Sequence, residues 1–492
     1  MFDVAIVGAG VVGSCVAREL SRFLLKTVVF EKDDDVACGS SRANSGIVHA
    51  GYDTKPGTLK AKYNVLGQRM FDKLAAELDF PFHRNGSLVV AGAEDIAKLE
   101  LLKAQGVANG LRDLRIVHKR ELRELEPNLN VGICAALVAP GGGITCPYAM
   151  TIAFAENAVA NGVEFMLRCP VVDVRRENGV FAIDTPRGTV RAKIVINAAG
   201  VHSDDINNRL SSRKLRIVPR RGEYCLLDQT EGRLVQHTIF QLPTKMGKGV
   251  LVTPTVDGNL LLGPTSEDID EKDNTATTSN KLNEVLRHAR ESVNRLPVDK
   301  IIASFAGLRA TLVPEGGVTN DFIIEEAADV PGLINLCGIE SPGLTAAPAI
   351  GVATVQMVAK RLNPVENAYF DPIREGIRRF RDMSNEERKA TIRDNPDYGR
   401  VICRCESVTK AEIIAALRSP LGKNHAINSL DAVKRRTRAG MGRCQSGFCW
   451  MRLLDVIAEE YAIDITEVTK SGGDSNILVE RNKSRLHSEK TI

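Results

Sequence analysis

Aromatic side chains are scarce in this sequence, since they make up 5% of its 492 residues and include a single tryptophan. The net charge is also small, at +4, and the excess lies in residues 396–492, which hold 16 Lys and Arg against 12 Asp and Glu. Nucleic-acid-binding proteins usually carry a larger basic stripe, with aromatic side chains on which bases stack. Nucleic acid is therefore not an expected partner.

Long hydrophobic runs are lacking as well. The least polar stretch, 342–359, contains two prolines, two glycines, two threonines and a glutamine, which does not suit a membrane-spanning helix. The N-terminus enters an apolar strand directly, without the basic start and cleavage site of a secretory signal. We therefore expect a cytoplasmic protein with no transmembrane span, in which any membrane association is made through a partner.

Glycine, in contrast, is abundant, and its first cluster has a recognisable spacing. Residues 2–31 read as strand, glycine turn, helix and strand, with Gly8, Gly10 and Gly13 in the turn and Glu31 at the end of the second strand. Such a turn lets the backbone approach a pyrophosphate at a helix N-terminus, and the acidic residue accepts hydrogen bonds from a ribose. The pattern predicts dinucleotide binding but does not by itself distinguish FAD from NAD.

Three later segments, 38–46, 195–200 and 338–351, are rich in small residues that suit a cofactor buried end to end. Amides at the start of the helix predicted after Pro342 could face the pyrimidine end of a flavin. Taken singly, each segment could equally be an ordinary packed turn. The predicted cofactor-binding residues are Gly8, Gly10, Gly13, Glu31, Ser40, Ser41, Asn44, Ser45, Gly46, Val172, Ala199, Gly200, Gly338, Pro342, Gly343, Leu344 and Thr345.

The domain organisation follows from where the strand patterns change. Two stretches alternate apolar and polar residues in short runs broken by Gly, Pro and Asp, which is typical of antiparallel strands. The fold class is therefore α/β, with a Rossmann-like FAD-binding domain, an antiparallel-sheet substrate domain and a small helical C-terminal domain. The predicted boundaries are 1–80, 146–214 and 331–370 for the FAD-binding domain, 81–145 and 215–330 for the substrate domain, 371–400 for a charged connector, 401–468 for the C-terminal domain and 469–492 for a flexible tail.

Four of the eleven cysteines are clustered near the C-terminus. Cys403 and Cys405 form C-x-C, and after 38 residues Cys444 and Cys449 form C-x4-C. Four thiolates can bind either zinc or an iron-sulfur cluster, although the single-residue spacer is tighter than zinc knuckles usually have. A cluster that relays single electrons would have a clear use beside a flavin.

Several segments resemble one known family. The segments 44–51, 55–61, 218–224 and 341–350 look like those of the FAD-dependent glycerol-3-phosphate oxidases and dehydrogenases of the D-amino-acid-oxidase-like superfamily, and the resemblance covers about residues 1–365. L-2-hydroxyglutarate dehydrogenases and oxidases share some of these pieces. The cysteine region is similar to the end of the large subunit of bacterial anaerobic glycerol-3-phosphate dehydrogenase and to bacterioferritin-associated ferredoxin. This second resemblance implies a 2Fe-2S cluster on the four cysteines rather than zinc.

The resemblance also implies the catalytic residues. His49 is the expected base, because imidazole accepts protons near neutral pH. Arg309 is expected to bind a phosphate or carboxylate through its planar fork, with Lys248 as a second cation. Ser341 would hydrogen-bond the substrate or cap a helix. Either Arg220 or Arg221 is a further candidate for the phosphate.

The sequence thus predicts FAD-dependent oxidation of sn-glycerol 3-phosphate to dihydroxyacetone phosphate. The electrons would pass from FAD through the 2Fe-2S cluster to an electron-accepting partner, expected to be a second flavoprotein or an iron-sulfur protein. In the anaerobic relatives this partner is another subunit. One alternative is a dehydrogenase for L-2-hydroxyglutarate or another 2-hydroxy acid, and a second is an oxidase that produces hydrogen peroxide. A third is a non-catalytic iron-storage or sensing partner.

Overall fold

The computed structural model describes residues 1–243, 249–314, 319–425 and 427–480. Within these ranges the strands are Phe2–Val7 (β1), Thr27–Phe30 (β2), Ile47–Val48 (β3), Phe82–His83 (β4), Ser87–Ala91 (β5), Arg115–His118 (β6), Ala135–Ala139 (β7), Gly143–Thr145 (β8), Glu164–Met166 (β9), Asp173–Glu177 (β10), Val180–Thr185 (β11), Gly188–Asn197 (β12), Ile217–Leu227 (β13), Thr238–Phe240 (β14), Leu251–Pro254 (β15), Leu260–Gly263 (β16), Glu267–Asp268 (β17), Ile301–Leu312 (β18), Ile323–Glu326 (β19), Leu333–Cys337 (β20), Val401–Cys403 (β21) and Val408–Thr409 (β22).

The α-helices of the same ranges are distributed along the whole chain. They are Val11–Leu20 (α1), Leu59–Gln68 (α2), Phe71–Leu78 (α3), Ile96–Ala108 (α4), Lys119–Leu125 (α5), Pro147–Ala160 (α6), Ser203–Leu210 (α7), Ser279–Ser292 (α8), Gly343–Leu362 (α9), Asn385–Asp394 (α10), Lys410–Leu417 (α11), Leu430–Thr437 (α12) and Trp450–Tyr461 (α13).

The first sheet has eight strands and a parallel centre. β1 pairs in parallel with β2 and β12, β12 with β20, and β2 with β9. Val4 and Ile6 of β1 face one apolar cluster while Ala5 and Val7 face another, because successive side chains of a strand point to opposite faces. A sheet buried on both faces needs such an apolar strand, and the predicted Rossmann-like arrangement is confirmed.

The second sheet has nine strands, and all but one of its pairings are antiparallel. β13 and β18 form its longest pair, which runs from Ile217 opposite Leu312 to Leu227 opposite Ile301. Helix α8 covers one face of this sheet with Val285 and Ala289. The strands come from residues 87–139 and 217–312, as the alternating sequence pattern predicts.

One strand departs from the predicted boundaries. β19, which the boundary at residue 330 places in the substrate domain, pairs with β20 in the first sheet. Ile323 and Ile324 of β19 are apolar neighbours, so this strand belongs to a sheet with cover on both faces. The change between the two sheets therefore lies before β19 rather than after it.

The C-terminal unit is helical, as predicted, and packs against the first unit. β21 and β22 form a short antiparallel pair beside α11, α12 and α13. Its buried residues Ile413, Val433 and Ile457 belong to the same apolar cluster as those on one face of β1. The two units therefore share a continuous core.

The connector and the start of the tail make more contacts than their composition suggests. Arg374 pairs with Glu156, and Arg381 pairs with the buried Glu406. Residue Thr469, the first of the predicted tail, bridges to both Ser429 and Asn476. Such ion pairs cannot be read from a charged sequence, because their partners lie far away along the chain.

Candidate functional site

A cavity of about 1610 Å³ lies between the two sheet-containing units. It runs from the glycine turn after β1 to strand β18 of the second sheet. The predicted residues that line it are Gly8, Gly10, Glu31, Ser40, Ser41, Asn44, Ser45, His49, Ala199, Gly200, Arg309, Ser341, Pro342, Gly343 and Leu344. One cavity therefore brings together most of the predicted cofactor-binding residues and the catalytic candidates His49, Arg309 and Ser341.

The glycine turn can only be made by glycine. Gly8 has φ +102°, and a Cβ on it would lie 2.5 Å from the carbonyl oxygen of Ala198. A Cβ on Gly13 would lie 2.0 Å from the carbonyl oxygen of Gly8, so this residue lets α1 pack on the turn without lining the cavity. Gly10, Val11 and Val12, at the N-terminus of α1, therefore line the cavity, and a helix N-terminus suits a pyrophosphate.

Glu31 follows β2 and closes the same end of the cavity. Its carboxylate accepts hydrogen bonds from the backbone amides of Ala9 at 2.8 Å and of Asp33 at 3.1 Å. Burial raises the pKa of the Glu31 carboxyl to about 7, although these two hydrogen bonds act to lower it. Ribose hydroxyls that donate to this carboxylate would relieve the cost of burying its charge.

The loop 38–46 connects the nucleotide end of the cavity to the second sheet. The Ser41 hydroxyl accepts a hydrogen bond from the Val11 amide at 2.9 Å, and the Ser40 hydroxyl donates one to the Leu308 carbonyl on β18. A Cβ on Gly307 would lie 1.8 Å from the Ala43 carbonyl oxygen. Strand β18 therefore passes in direct contact with this loop, which places Arg309 at the cavity.

His49 lies directly after β3 and is 8% exposed. Its Nε2 lies 3.3 Å from the Ser341 hydroxyl oxygen, and its backbone amide donates to the Thr345 hydroxyl at 2.9 Å. Its ring also contacts Phe240, with centroids 5.9 Å apart. The imidazole is thus held at the N-terminus of α9 with Nε2 beside the cavity.

Ser341 lies next to His49 and immediately precedes Pro342, which is the N-cap residue of α9. Pro342 makes no side-chain capping hydrogen bond. Gly343 and Leu344 line the cavity at this N-terminus, where the helix dipole favours negative charge. The predicted contact of this turn with the electron-rich end of a flavin is compatible with the geometry.

Arg309 extends from β18 into the cavity. Its guanidinium donates to the Thr265 carbonyl at 3.1 Å and lies beside the hydroxyl of Tyr224, whose pKa burial raises. A Cβ on Gly222 would lie only 2.8 Å from the Arg309 Nη2 atom. Gly222 therefore leaves the space that the guanidinium occupies, and part of this donor fork remains directed at the cavity.

The two neighbouring arginines of β13 have different positions. Arg220 lines the cavity and pairs with Asp268 at 2.6 Å, whereas Arg221 is buried and pairs with Glu267 at 2.8 Å. Successive residues of a strand point to opposite faces, so only one of them can reach the site. Lys248 lies outside the described residues.

Five predicted cofactor residues do not line the cavity. Gly13, Gly46 and Gly338 lie where other groups pack closely against the backbone. The Thr345 hydroxyl accepts a hydrogen bond from the His49 backbone amide. Val172 is 56% exposed, while its neighbour Val171 lines the cavity. Three residues that sequence reasoning did not single out are Gly222, Tyr224 and Gly307. Gly222 and Tyr224 lie in the segment 218–224, which also contains the candidate arginines. The sequence therefore already pointed to this segment.

The four clustered cysteines form two pairs. The Cys405 and Cys444 sulfur atoms are 3.6 Å apart, and a hydrogen bond from Cys449 lowers the pKa of the Cys403 thiol to about 6. Among the described residues, no three Cys, His, Asp or Glu side chains converge on a single metal position. Two thiol pairs suit a 2Fe-2S cluster, in which four thiolates are divided between two irons.

Among the helices described by the structure, none has both the length and the apolar character needed to cross a membrane.

Comparison with known proteins agrees with this architecture. The family model for DAO, an FAD-dependent oxidoreductase, matches residues 3–357, and the model for a BFD-like 2Fe-2S binding domain matches residues 401–459. The candidate site residues that line the cavity and the four paired cysteines fall within the matched ranges. The chain belongs to the DAO family of FAD-dependent oxidoreductases, and its C-terminal unit is a BFD-like domain. Its cofactors are FAD and a 2Fe-2S cluster.

Three known proteins illustrate what this chain is similar to. A glycerol 3-phosphate dehydrogenase of Caloramator mitchellensis is 47% identical over 99% of this chain and 100% of its own. The solved structure of the FAD-bound L-alpha-glycerophosphate oxidase of Mycoplasma pneumoniae is 33% identical, with a TM-score of 0.71, over 76% of this chain and 98% of its own. A mitochondrial L-2-hydroxyglutarate dehydrogenase of Arabidopsis thaliana is 30% identical over 71% of this chain and 81% of its own.

Proposed function

We propose that this protein oxidises sn-glycerol 3-phosphate to dihydroxyacetone phosphate and transfers the electrons to an acceptor other than oxygen. The observation that carries the proposal is the likeness to a glycerol 3-phosphate dehydrogenase over almost the whole chain, cluster domain included. The oxidase of Mycoplasma pneumoniae matches only 76% of the chain. An enzyme that gave its electrons directly to oxygen would have no use for the C-terminal domain.

His49 is the proposed base of this reaction. FAD held in the cavity would supply the hydride acceptor for the carbon that carries the alcohol, and the hydroxyl proton would have to leave as the carbonyl forms. Nε2 of His49 faces the cavity beside Ser341, and the contacts of its backbone with Thr345 fix the ring position. His49 therefore takes the hydroxyl proton, and Ser341 orients either the imidazole or the alcohol.

Arg309 is the proposed phosphate ligand. A phosphate bound by its planar fork lies at a fixed distance from His49, which would hold the alcohol carbon against the base. Tyr224 and Thr265 restrain the guanidinium, so little side-chain freedom is lost on binding. Arg220 lies at the same cavity with its charge partly offset by Asp268, and we assign it a supporting role. Lys248 remains the proposed second cation.

The electrons leave through the C-terminal domain, and their acceptor is proposed to be a partner protein that docks at the exposed side of the cluster. Cys405 is exposed there, and Phe448, next to Cys449, is 87% exposed. Arg404 lies between two of the thiols and, like the exposed Arg452 of α13, forms no ion pair with another described residue. An apolar contact within a basic rim suits an electron carrier with an acidic surface.

The experiment that tests the substrate is anaerobic reduction of the bound flavin. The purified protein is mixed with sn-glycerol 3-phosphate, L-2-hydroxyglutarate, L-lactate, glycine or proline, and the flavin absorbance is followed. We expect rapid bleaching by sn-glycerol 3-phosphate and much slower bleaching by the others. Faster bleaching by L-2-hydroxyglutarate would move the assignment to the 2-hydroxy-acid branch, and no bleaching by any compound would favour a non-catalytic role.

A further inference from the structure

The loop that follows Glu31 is held in place by the C-terminal domain. Asp35 of this loop is fully buried, and its carboxylate accepts hydrogen bonds from Arg435 at 2.9 Å and from Arg436 at 2.6 and 2.9 Å. Both arginines belong to α12, and their side chains are 6% and 1% exposed. The pKa of Asp35 is raised by burial but lowered more by these two guanidinium groups, so the carboxyl remains ionised.

This segment, residues 32–46 (the FAD loop), is part of the flavin site. It joins Glu31 to the serines at 40 and 41, and the Ala37 amide donates to the Ala9 carbonyl of the glycine turn at 3.1 Å. Residues on both sides of Asp35, including Asp34 and Cys38, line the cavity. Any displacement of Asp35 therefore moves the adenosine end of the site.

A second contact comes from the segment after the C-terminal helices. Ser471 lines the cavity, and Gly472 packs so closely on Asp34 that a Cβ there would lie 2.4 Å from the Asp34 Cβ. The same segment is bound to the start of α12, since the amides of Leu430 and Asp431 both donate to its carbonyl groups at 3.0 Å. The C-terminal domain thus contacts the FAD loop at two places.

The other end of α12 is attached to the cysteine pairs. Its C-cap residue Arg438 is buried and binds Glu406, the neighbour of Cys405, at 2.8 Å. Two residues later, the Gly440 amide donates to the Cys403 sulfur at 3.4 Å. Helix α12 therefore contacts the FAD loop through Arg435 and Arg436. Arg438 and Gly440, at its C-terminal end, contact the region of the cluster ligands.

We propose that α12 couples the two cofactors, so that binding of FAD and retention of the 2Fe-2S cluster stabilise each other. Loss of the cluster releases the region 438–444 and loosens α12, and the loop around Asp35 loses its anchor. A buried carboxylate cannot keep its place without its cations, because an unpaired buried charge is strongly destabilising. By linkage, FAD must protect the cluster by the same factor by which the cluster strengthens FAD binding.

The test measures FAD affinity in FAD-free protein with and without its cluster, by quenching of FAD fluorescence under anaerobic conditions. We expect removal of the cluster with a chelator to weaken FAD binding by about 10-fold or more, in the range usual for coupled sites. Iron release to the chelator should be slower when FAD is present. Equal FAD affinity in the two wild-type forms would overturn the proposal.

The variant Asp35→Asn tests whether the coupling passes through α12. It should bind FAD weakly even with the cluster in place, and removal of the cluster should then change its FAD affinity little. The matched control is Asp257→Asn, because Asp257 is also a buried carboxylate that binds a C-terminal-domain arginine, Arg438, but does not touch the FAD loop. The cluster-loaded control should bind FAD like wild type. If removal of the cluster weakened FAD binding as much in Asp35→Asn as in wild type, the coupling would not pass through α12.

Discussion

His49 and Arg309 have different proposed roles, which the kinetics of single substitutions can separate. His49→Ala should lower the rate of flavin reduction by roughly 10² to 10⁴ with little change in substrate binding, because a general base acts in the transition state. Arg309→Ala should mainly weaken binding, and Arg309→Lys should weaken it less, since lysine keeps the charge but not the fork. Rapid-reaction kinetics at several substrate concentrations separates the two constants. Reduction at the wild-type rate in His49→Ala would remove the base assignment.

Glu31 predicts a pH dependence of the flavin-free protein. Its pKa is raised from 4.5 to about 7, so between these values the folded chain binds more protons than the unfolded chain. The free energy of unfolding contributed by Glu31 should therefore fall as pH rises through this window, by up to about 3 kcal/mol at the upper end. FAD affinity should change in the opposite direction, because ribose hydroxyls donate to the ionised carboxylate.

Glu31→Gln provides the comparison for this pH dependence. The amide cannot ionise, so both slopes should disappear while the fold is kept. Denaturant unfolding and FAD titration between pH 5 and pH 8 measure the two effects. A wild-type slope of FAD affinity that persists in Glu31→Gln would show that another group is responsible.

Gly222 predicts how sensitive the anion site is to volume. A methyl group at this position would lie 2.7 Å from the Pro264 Cβ and 2.8 Å from the Arg309 Nη2 atom. Gly222→Ala should therefore displace the guanidinium and raise the KM for the phosphorylated substrate, with a smaller effect on the limiting rate of flavin reduction. Gly92→Ala is the control in the same unit, since its nearest contact would be at 3.7 Å. Unchanged KM in Gly222→Ala would contradict the placement of Arg309.

Among the secondary-structure elements, the glycine turn was predictable from the sequence. The register between distant strands was not. The spacing of Gly8, Gly10 and Gly13 indicates its own turn, because the whole motif is formed by neighbouring residues. The neighbourhood of Arg309 depends on the pairing of β13 with β18, in which Gly222 stands opposite Gly307. These residues are far apart in the chain, and a sequence does not state which residues of two distant strands face each other.

Strand β19 shows the same limit for domain boundaries. Its residues alternate too little and are too few to indicate which sheet they join, so the predicted boundary at 330 left it with the wrong sheet. The segment 371–400 was predicted only as a charged connector, with no assigned contact to the folded units. Arg381 instead pairs with a carboxylate that is almost fully buried, which only the tertiary arrangement could reveal.

Gly307 of β18 packs against the FAD loop, so a substitution there should affect both FAD binding and substrate binding. A Cβ at Gly307 would lie 1.8 Å from the Ala43 carbonyl oxygen, a distance that cannot be tolerated without movement of the backbone. Gly307→Ala should therefore lower FAD content and weaken substrate binding together. Ser304→Ala, on an exposed position of the same strand, should change neither. Absorbance ratios of the purified variants and their KM values measure both effects.

The whole molecule consists of three units. The first two supply most of the lining of the cavity proposed to hold the flavin and the substrate, and the third packs on the first through a shared core. Protein purified without oxygen should contain about one FAD, two irons and two acid-labile sulfides per chain. The flavin should be released on denaturation, since the sequence contains no motif that requires a covalent link.

Electrons from sn-glycerol 3-phosphate should reach the cluster, and electron paramagnetic resonance after anaerobic addition of this substrate detects their arrival. In wild type the flavin absorbance should bleach and the signal of a reduced 2Fe-2S cluster should appear. In Cys444→Ser the flavin should still bleach, but the signal should be lost or altered, because serine is a poor substitute for a thiolate ligand. A bleached flavin with no cluster signal in wild type, together with peroxide formed in air as fast as substrate is consumed, would contradict the claim.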